Sequence, residues 1–308
     1  MRELTDSAAL RADPARLRAR LAADGYLFLR GLLPAADVRT AHDDVLAALR
    51  DGGWADRSGR PADPDRTVNF RQALADPVFR AALITRGLNR LPYLPSLRQL
   101  VRSILGPAAF SYPVKVLRTV YPERPHQPVT LGRYVHQDYQ NSGVQDMLTT
   151  WLPLMEIPAA LGGLAVLPGS HLGAPVRPRL LQPAEPGWLS ADYQPGDVLL
   201  FHCMTAHAAL PNGAQKIRLS TDCRWQRPDQ PAPAEMVLGP ARRGQLGQPV
   251  ELYSRLLRRE RWWEPVPAGL ALQPRERLAA AAAPPAPSRL FAVHPGWQYW
   301  RPPGGPMR

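Results

Sequence analysis

The sequence predicts a mainly β protein, a sandwich or a barrel, with helices packed on its outside. Between Phe110 and Trp225, short apolar runs that alternate between two faces follow one another, separated by turns rich in Gly, Pro and Asn. The first hundred residues instead carry apolar positions at helical spacing, interrupted by one short strand. A chain of 308 residues is long enough to bury a core without disulfides, and its two cysteines match no metal-binding or redox spacing.

Helices dominate the N-terminal part. Asp13 followed by Pro14 predicts a capped helix that runs over 15–23 and ends at Gly25. The remaining elements of this part are a strand over 26–29 and helices over 35–50, 76–85 and 96–105, where apolar residues recur every three or four positions.

Strands dominate the middle of the chain. The segment 111–121 alternates, so that Val114 and Val116 lie on one face while Lys115 and Leu117 lie on the other. Further strands are predicted over 147–154, 163–167, 198–202 and 217–225.

From Pro228 onward the chain is rich in proline and irregular. It contains one helical stretch over 250–263 and the aromatic residues Trp297, Tyr299 and Trp300. This segment lacks a regular apolar pattern that could form its own core. We therefore predict a single domain over 1–227 and an extension over 228–308 that packs on the same domain and covers or borders the mouth of the barrel. The alternative is an extension that only wraps the outside of the core or forms a dimer contact.

The net charge of +12 comes almost entirely from arginine, because Lys115 and Lys216 are the only lysines. Such a composition is typical of a GC-rich genome. The arginines are spread along the chain without a nucleic-acid-binding motif, so no nucleic-acid partner is expected. The chain has neither an apolar run of membrane-spanning length nor the apolar core of a signal peptide. We therefore expect a cytoplasmic protein without a membrane partner.

The pair His136 and Asp138 is the strongest chemical signal in the sequence. Residues two apart in an extended segment point the same way, so an imidazole and a carboxylate can face one metal ion. His207, which follows the predicted strand over 198–202, supplies a third ligand. Two histidines and one carboxylate on one face leave three coordination positions open, a set diagnostic of non-haem Fe(II) oxygenases. We therefore predict these three residues as the Fe(II) ligands and catalytic centre.

Arg218 lies eleven residues after His207, on the returning strand. It shares one face of that strand with Ser220 and Asp222, and a buried polar face is costly unless it is paired. A dicarboxylate such as 2-oxoglutarate binds iron through its keto acid end and offers its distal carboxylate to a planar guanidinium. Arg218 is therefore predicted to bind 2-oxoglutarate.

Four segments resemble the phytanoyl-CoA dioxygenase family of Fe(II)- and 2-oxoglutarate-dependent oxygenases. They are YVHQDYQ at 134–140, TTWLPLMEI at 149–157, GGLAVLPGSH at 162–171 and PGDVLLFHCMTAHAALPN at 195–212. The resemblance implies a double-stranded β-helix, the jelly-roll core of cupin-like proteins, with outer helices. It also implies the same three iron ligands, Arg218 as the partner of the 2-oxoglutarate C5 carboxylate, and O2 as a cosubstrate.

Two further residues are candidates for the cosubstrate site. The family places an aromatic residue near the cosubstrate, and Trp151 matches it, with core packing as the alternative. Lys115 is a candidate second contact for an anionic cosubstrate or substrate, with a lysine that extends from the barrel edge as the alternative. The sequence departs from the family at Ala209, where a hydroxyl residue is common. Halogenating relatives lack the carboxylate that Asp138 supplies, so halogenation is not expected.

Together these residues predict an Fe(II)- and 2-oxoglutarate-dependent dioxygenase. Its reaction is expected to be the oxidation of an unactivated C–H bond of a small molecule, by hydroxylation or oxidative cyclisation. The GC-rich composition favours natural-product biosynthesis over lipid catabolism. The alternatives are a lipid or acyl-CoA hydroxylase and a metal-binding jelly-roll protein without catalysis. The chain is expected to be a monomer or a homodimer.

Overall fold

Two sheets form the core of the computed structural model, which describes residues 2–66, 76–125, 131–173, 175–182, 185–238 and 266–274. In chain order the strands are β1 (Arg2–Glu3), β2 (Tyr26–Leu29), β3 (Phe110–Ser111), β4 (Val116–Val120), β5 (Leu148–Pro153), β6 (Leu164–Val166), β7 (Leu189–Ser190), β8 (Val198–His202), β9 (His207–Ala209), β10 (Arg218–Gln226), β11 (Ala232–Pro233) and β12 (Leu272–Gln273). The larger sheet has the order β2-β8-β5-β10-β3, with β4 also paired to β10, and the smaller sheet has the order β1-β7-β6-β9.

The helices lie mostly before the strands. They are α1 (Pro14–Asp24), α2 (Ala35–Asp51), α3 (Pro77–Leu83), α4 (Arg86–Arg90), α5 (Pro95–Leu105), α6 (Tyr139–Ser142) and α7 (Ala234–Leu238). The predicted start of α1 is confirmed, because the Asp13 carboxylate accepts a hydrogen bond from the Arg16 backbone N–H at 3.0 Å. The predicted end is confirmed at Gly25, which adopts a left-handed conformation with φ of +79°.

The larger sheet is covered on both faces. Between the sheets, apolar residues of both interlock: Trp151, Leu199, Phe201, Leu164 and Val166. The opposite face of the larger sheet packs against the helical layer in a second apolar core. All nine residues of β10 are therefore buried, polar and apolar alike. This arrangement confirms the prediction of a β core with helices on its outside.

The strand predicted over 111–121 is interrupted. On β10, Trp225 pairs with Ser111 and Asp222 pairs with Val116. Four residues lie between Ser111 and Val116, whereas only two lie between Asp222 and Trp225, so β3 and β4 do not form one continuous strand. Pro113, which lacks a backbone N–H, lies in this interruption together with Lys115. The strands β7 and β9 and the helix α4 were not predicted, because segments of two to five residues are too short to show a period.

The described parts of the C-terminal extension pack on the core. Ala232 and Val237 are buried in the helix-side core, and Val266 and Leu270 pack against it. The strands β11 and β12 pair in parallel. The helix predicted over 250–263 and the aromatic residues near the C-terminus lie outside the described residues. Within the described ranges, no helix is both long and apolar enough to cross a membrane.

Candidate metal centre

His136, Asp138 and His207 converge at one point, with one ligand atom of each lying within 4.8 Å of the others. His136 and His207 exchange two backbone hydrogen bonds of 3.1 and 3.0 Å, which sets their rings 4.2 Å apart. His207 begins β9, and Asp138 directly precedes α6. Residues about seventy positions apart in the sequence are therefore joined by strand pairing into a two-histidine, one-carboxylate face that could hold a divalent metal ion.

Both histidines present the same ring nitrogen to this face. The Nδ1 atom of His136 lies 2.8 Å from the Tyr134 carbonyl, and Nδ1 of His207 lies 2.9 Å from the Thr205 carbonyl. A carbonyl accepts only from a protonated nitrogen, so Nδ1 carries the hydrogen and the lone pair is on Nε2. Burial, reinforced by His136, lowers the pKa of His207 to about 4. His207 is therefore neutral at pH 7, the form that binds a metal.

The Asp138 carboxylate is held by two donors that the sequence analysis did not identify. Its Oδ1 accepts a hydrogen bond from Arg224 Nη2 at 3.0 Å, and its Oδ2 accepts one from Thr149 Oγ1 at 2.5 Å. Burial alone would raise the pKa of Asp138, but Arg224, His207 and His136 outweigh it and hold the pKa well below its usual range. The carboxylate is therefore charged and oriented, so the residues present fit a metal ion.

Arg218 is a buried cation on the same face of β10 as Arg224, the partner of Asp138. Its Nη1 donates to the Gly162 carbonyl at 2.6 Å. Among the described residues, its Nε has no hydrogen-bond partner and its side chain forms no ion pair. Burial, with Arg118 adding to it, lowers the pKa of Arg218 to about 10, so the side chain is still charged at pH 7. Asp222 acts on this charge but is already bound by Arg118. A buried charge without an ion pair of its own is costly, which fits a site for an external carboxylate.

The Gly162 carbonyl reaches Arg218 because position 162 is glycine. Its φ is +73°, in the left-handed region that residues with a side chain rarely adopt. A Cβ there would lie 2.2 Å from the Pro211 carbonyl oxygen. In this conformation, packed against the Pro211 backbone, the Gly162 carbonyl accepts from Nη1, and Nε is left without a partner among the described residues.

Two neighbours complete the surroundings of Arg218. Ser220 lies on the same face of β10, and among the described residues its buried hydroxyl has no hydrogen-bond partner. The Trp151 ring centre lies 5.8 Å from the Arg218 guanidinium carbon. The ring also contacts Tyr193 at 4.7 Å, so both cosubstrate contact and core packing fit Trp151. Because Thr149 and Trp151 share one face of β5, this face connects the Asp138 end of the site to Arg218.

Lys115 has no contact with the three proposed ligands or with Arg218 among the described residues. Its ammonium donates to Ser111 Oγ at 3.1 Å and to the Tyr112 carbonyl, and lies 5.2 Å from the centre of the Tyr93 ring. Its charge acts on Cys223, which lies on the helix-covered face of β10, opposite the face of Arg218 and Arg224. The predicted alternation of 111–121 left open which face points into the site, and the structure turns the Lys115 face away from it.

We expect Lys115→Met to leave the Kd for 2-oxoglutarate within about twofold of wild type, because the polar partners of Lys115 lie on the helix side of the sheet. Calorimetric titration of the metal-loaded protein without O2 measures this. The matched control is Lys216→Met, which changes the other lysine, an exposed one. A tenfold weaker 2-oxoglutarate Kd in Lys115→Met alone would place Lys115 in the cosubstrate site.

The stability contribution of Lys115 is expected to depend on pH. Burial lowers the pKa of Lys115 to about 8, whereas the unfolded chain keeps the ordinary value of about 10.4. Between these values the unfolded state binds more protons, so the free energy of unfolding of wild type should rise with pH relative to Lys115→Met. Urea unfolding of both proteins at pH 7, 9 and 10.5 tests this. A difference that stays constant across the series would contradict it.

Comparisons with known proteins agree with this geometry. The sequence profile of the phytanoyl-CoA dioxygenase family matches residues 21–220. Two similar relatives are the 1-deoxypentalenic acid 11-beta-hydroxylases of Streptomyces arenae and Streptomyces exfoliatus, each 30% identical over 66% of this chain and 77% of its own length.

Solved structures show the same fold. The epimerase SnoN, in complex with Fe3+, alpha-ketoglutarate and nogalamycin RO, matches with a TM-score of 0.51 and 21% identity over 85% of this chain and 98% of its own. The EctD protein of S. alaskensis with bound Fe matches with a TM-score of 0.50 and 20% identity over 89% and 91%. The expected cupin-like jelly-roll class is confirmed. The chain belongs to the phytanoyl-CoA dioxygenase family and is a non-haem Fe(II)- and 2-oxoglutarate-dependent dioxygenase.

Proposed function

We propose that this chain oxidises an unactivated C–H bond of a small molecule in natural-product biosynthesis, with His136, Asp138 and His207 as the iron ligands. Arg218, assisted by Ser220, is the partner of the 2-oxoglutarate C5 carboxylate in this proposal. The observation that carries it is the buried Arg218 guanidinium, which forms no ion pair among the described residues and whose Nε has no hydrogen-bond partner there. Asp222 acts on its charge but is already bound by Arg118, and Arg218 shares one face of β10 with Arg224, the partner of Asp138. A protein that only bound a metal would have no need for a buried charge without an ion pair of its own.

When bound, iron and 2-oxoglutarate supply the oxidising power, and the protein supplies binding and orientation. The two carbonyls of Tyr134 and Thr205 keep the histidine lone pairs on Nε2. Arg218 fixes the distal end of the cosubstrate and so orients its keto acid end. The apolar residues between the sheets exclude water from the reacting centre.

The same proposal includes a direction of substrate approach. Asp138 and His207 are buried, whereas His136 is partly exposed. The His136 side of the ligand face is therefore the side that a small molecule can reach. The hydroxylase relatives act on 1-deoxypentalenic acid, and this supports a small-molecule substrate for the present chain. We further propose that the protein acts in the cytoplasm as a monomer or homodimer, without nucleic-acid or membrane partners.

An anaerobic titration tests the proposal. Wild-type protein with Fe(II) and 2-oxoglutarate is expected to develop the weak visible charge-transfer band of the chelate, and to form succinate once O2 is added. A panel containing 1-deoxypentalenic acid, other polycyclic acids and a long-chain acyl-CoA then identifies the compound that increases succinate formation. Metal binding without the band and without succinate would support the non-catalytic alternative, and coupling to the acyl-CoA alone would support the lipid hydroxylase.

A further inference from the structure

The two donors that hold Asp138 differ in charge. Thr149 donates a neutral hydroxyl to Oδ2 at 2.5 Å, and Arg224 donates a charged guanidinium nitrogen to Oδ1 at 3.0 Å. A neutral donor can orient a metal ligand without opposing the metal. A cation on the same carboxylate orients it as well, but it also repels any second cation that arrives there.

Besides Asp138, Arg224 has one other carboxylate within 4 Å among the described residues. It is 8% exposed, and the second carboxylate near it is Asp222, whose Oδ2 lies 3.9 Å from its Nη2. Asp222 is already bound by Arg118, whose Nε and Nη2 donate to that same oxygen at 3.0 and 2.6 Å. The four side chains alternate in charge from Arg118 through Asp222 and Arg224 to Asp138. The charge of Arg224 is therefore directed mainly at Asp138.

The oxygen that Arg224 contacts also lies close to His207. Asp138 Oδ1 lies 3.9 Å from His207 Nε2, the nitrogen that carries the lone pair. A divalent cation held by Asp138 and His207 would therefore lie close to the guanidinium. Asp138, His207 and Arg224 are buried, so solvent would screen the repulsion weakly.

We propose that Arg224 is the internal counter-ion of Asp138, which holds the carboxylate in place before a metal binds and lowers the affinity of the site for divalent cations. The inference rests on the proposed function, since it requires the three ligands to form a metal site. Its physical basis is that a buried carboxylate without a cation is strongly destabilising. Arg224 would therefore let the chain fold without metal, at the expense of metal affinity.

Substitutions of the two donors to Asp138 are expected to change the metal affinity in opposite directions. Arg224→Gln keeps a donor and removes the charge, so the Kd for Mn(II) should fall at least about tenfold while the metal-free midpoint of thermal unfolding falls. Thr149→Val keeps the shape and removes a neutral orienting donor, so the Kd for Mn(II) should rise by about 10–100-fold, as is usual for partners of metal ligands. Electron paramagnetic resonance of free Mn(II) measures both.

Two further variants separate the effect of the Arg224 charge on metal affinity from the effect of lower protein stability. Arg224→Lys keeps the charge and should bind Mn(II) within about threefold of wild type. Arg30→Gln breaks an ion pair in which Arg30 Nη1 lies 3.1 Å from Oδ2 of the buried Asp197. It should lower the midpoint of thermal unfolding without changing the Mn(II) Kd. If Arg224→Gln unfolds without metal, the rise in its midpoint on adding Mn(II) replaces the titration and should exceed that of wild type.

Several outcomes would overturn the inference. Weaker Mn(II) binding in Arg224→Gln would make Arg224 an ordinary orienting partner like Thr149. Tightening in Arg224→Lys equal to that in Arg224→Gln would show that its charge does not set the affinity. Wild-type protein that does not bind Mn(II) at all would instead contradict the proposed function, and the inference with it.

Discussion

Replacing Asp138 with asparagine or alanine is expected to reduce 2-oxoglutarate turnover by orders of magnitude. Either variant removes the charged carboxylate from the proposed ligand set, and the two histidines alone hold a divalent ion weakly. Alanine also leaves the buried Arg224 without its carboxylate, and breaking a buried ion pair costs about 3–5 kcal/mol of stability. Asparagine keeps one oxygen that can accept from Arg224, and its amide N–H can donate to the Thr149 hydroxyl, so it is the better folded of the two. Succinate formation under saturating Fe(II) measures the effect.

Asp197→Asn is the matched control for Asp138→Asn. Asp197 is also buried and also paired with an arginine, Arg30, but it lies directly before β8, and no hydrogen bond or ion pair joins it to the three proposed ligands. A loss of turnover that came only from weakened packing would appear in both variants. Near-wild-type turnover in a folded Asp138→Asn protein would show that the proposed ligand set is wrong.

Replacing Arg218 with methionine is expected to weaken 2-oxoglutarate binding far more than metal binding. Only the distal carboxylate of the cosubstrate loses its partner, and loss of a buried charged contact costs about 2–5 kcal/mol. That corresponds to an increase of about 30-fold or more in the 2-oxoglutarate Kd. The Mn(II) Kd should stay within about threefold, because Arg218 contacts Gly162 and Trp151 and none of the three proposed ligands. Calorimetry on the Mn(II)-loaded protein without O2 gives both constants.

Arg133→Met controls for the loss of a buried arginine. Arg133 is similarly buried and donates to the Ala209 carbonyl, but it carries its own counter-ion, Glu123. Its loss should leave the 2-oxoglutarate Kd unchanged within about twofold. An Arg218→Met protein with wild-type 2-oxoglutarate affinity would exclude Arg218 as the cosubstrate partner.

The ligand face shows why part of the site is readable in advance. His136 and Asp138 are two residues apart, so local extended geometry alone points them the same way. His207 and Arg218 follow recognisable turns and an alternating strand, so their approximate placement also comes from short-range pattern. The helix over 14–24 is similarly local, since its cap and its terminating glycine lie within the segment itself.

The partners of these residues depend on the tertiary structure. Arg224 and Thr149 reach Asp138 only because β10 pairs with β5 and both present the same face to the interior, a register that no local period encodes. The alternation around Lys115 correctly separates the two faces of the segment, but it does not predict which face packs against the helices. Local pattern therefore predicted the chemistry of the site, with three proposed ligands and the proposed arginine. Strand pairing across distant segments decided which charges surround Asp138, because the free energies of burial and ion pairing depend on neighbours in space.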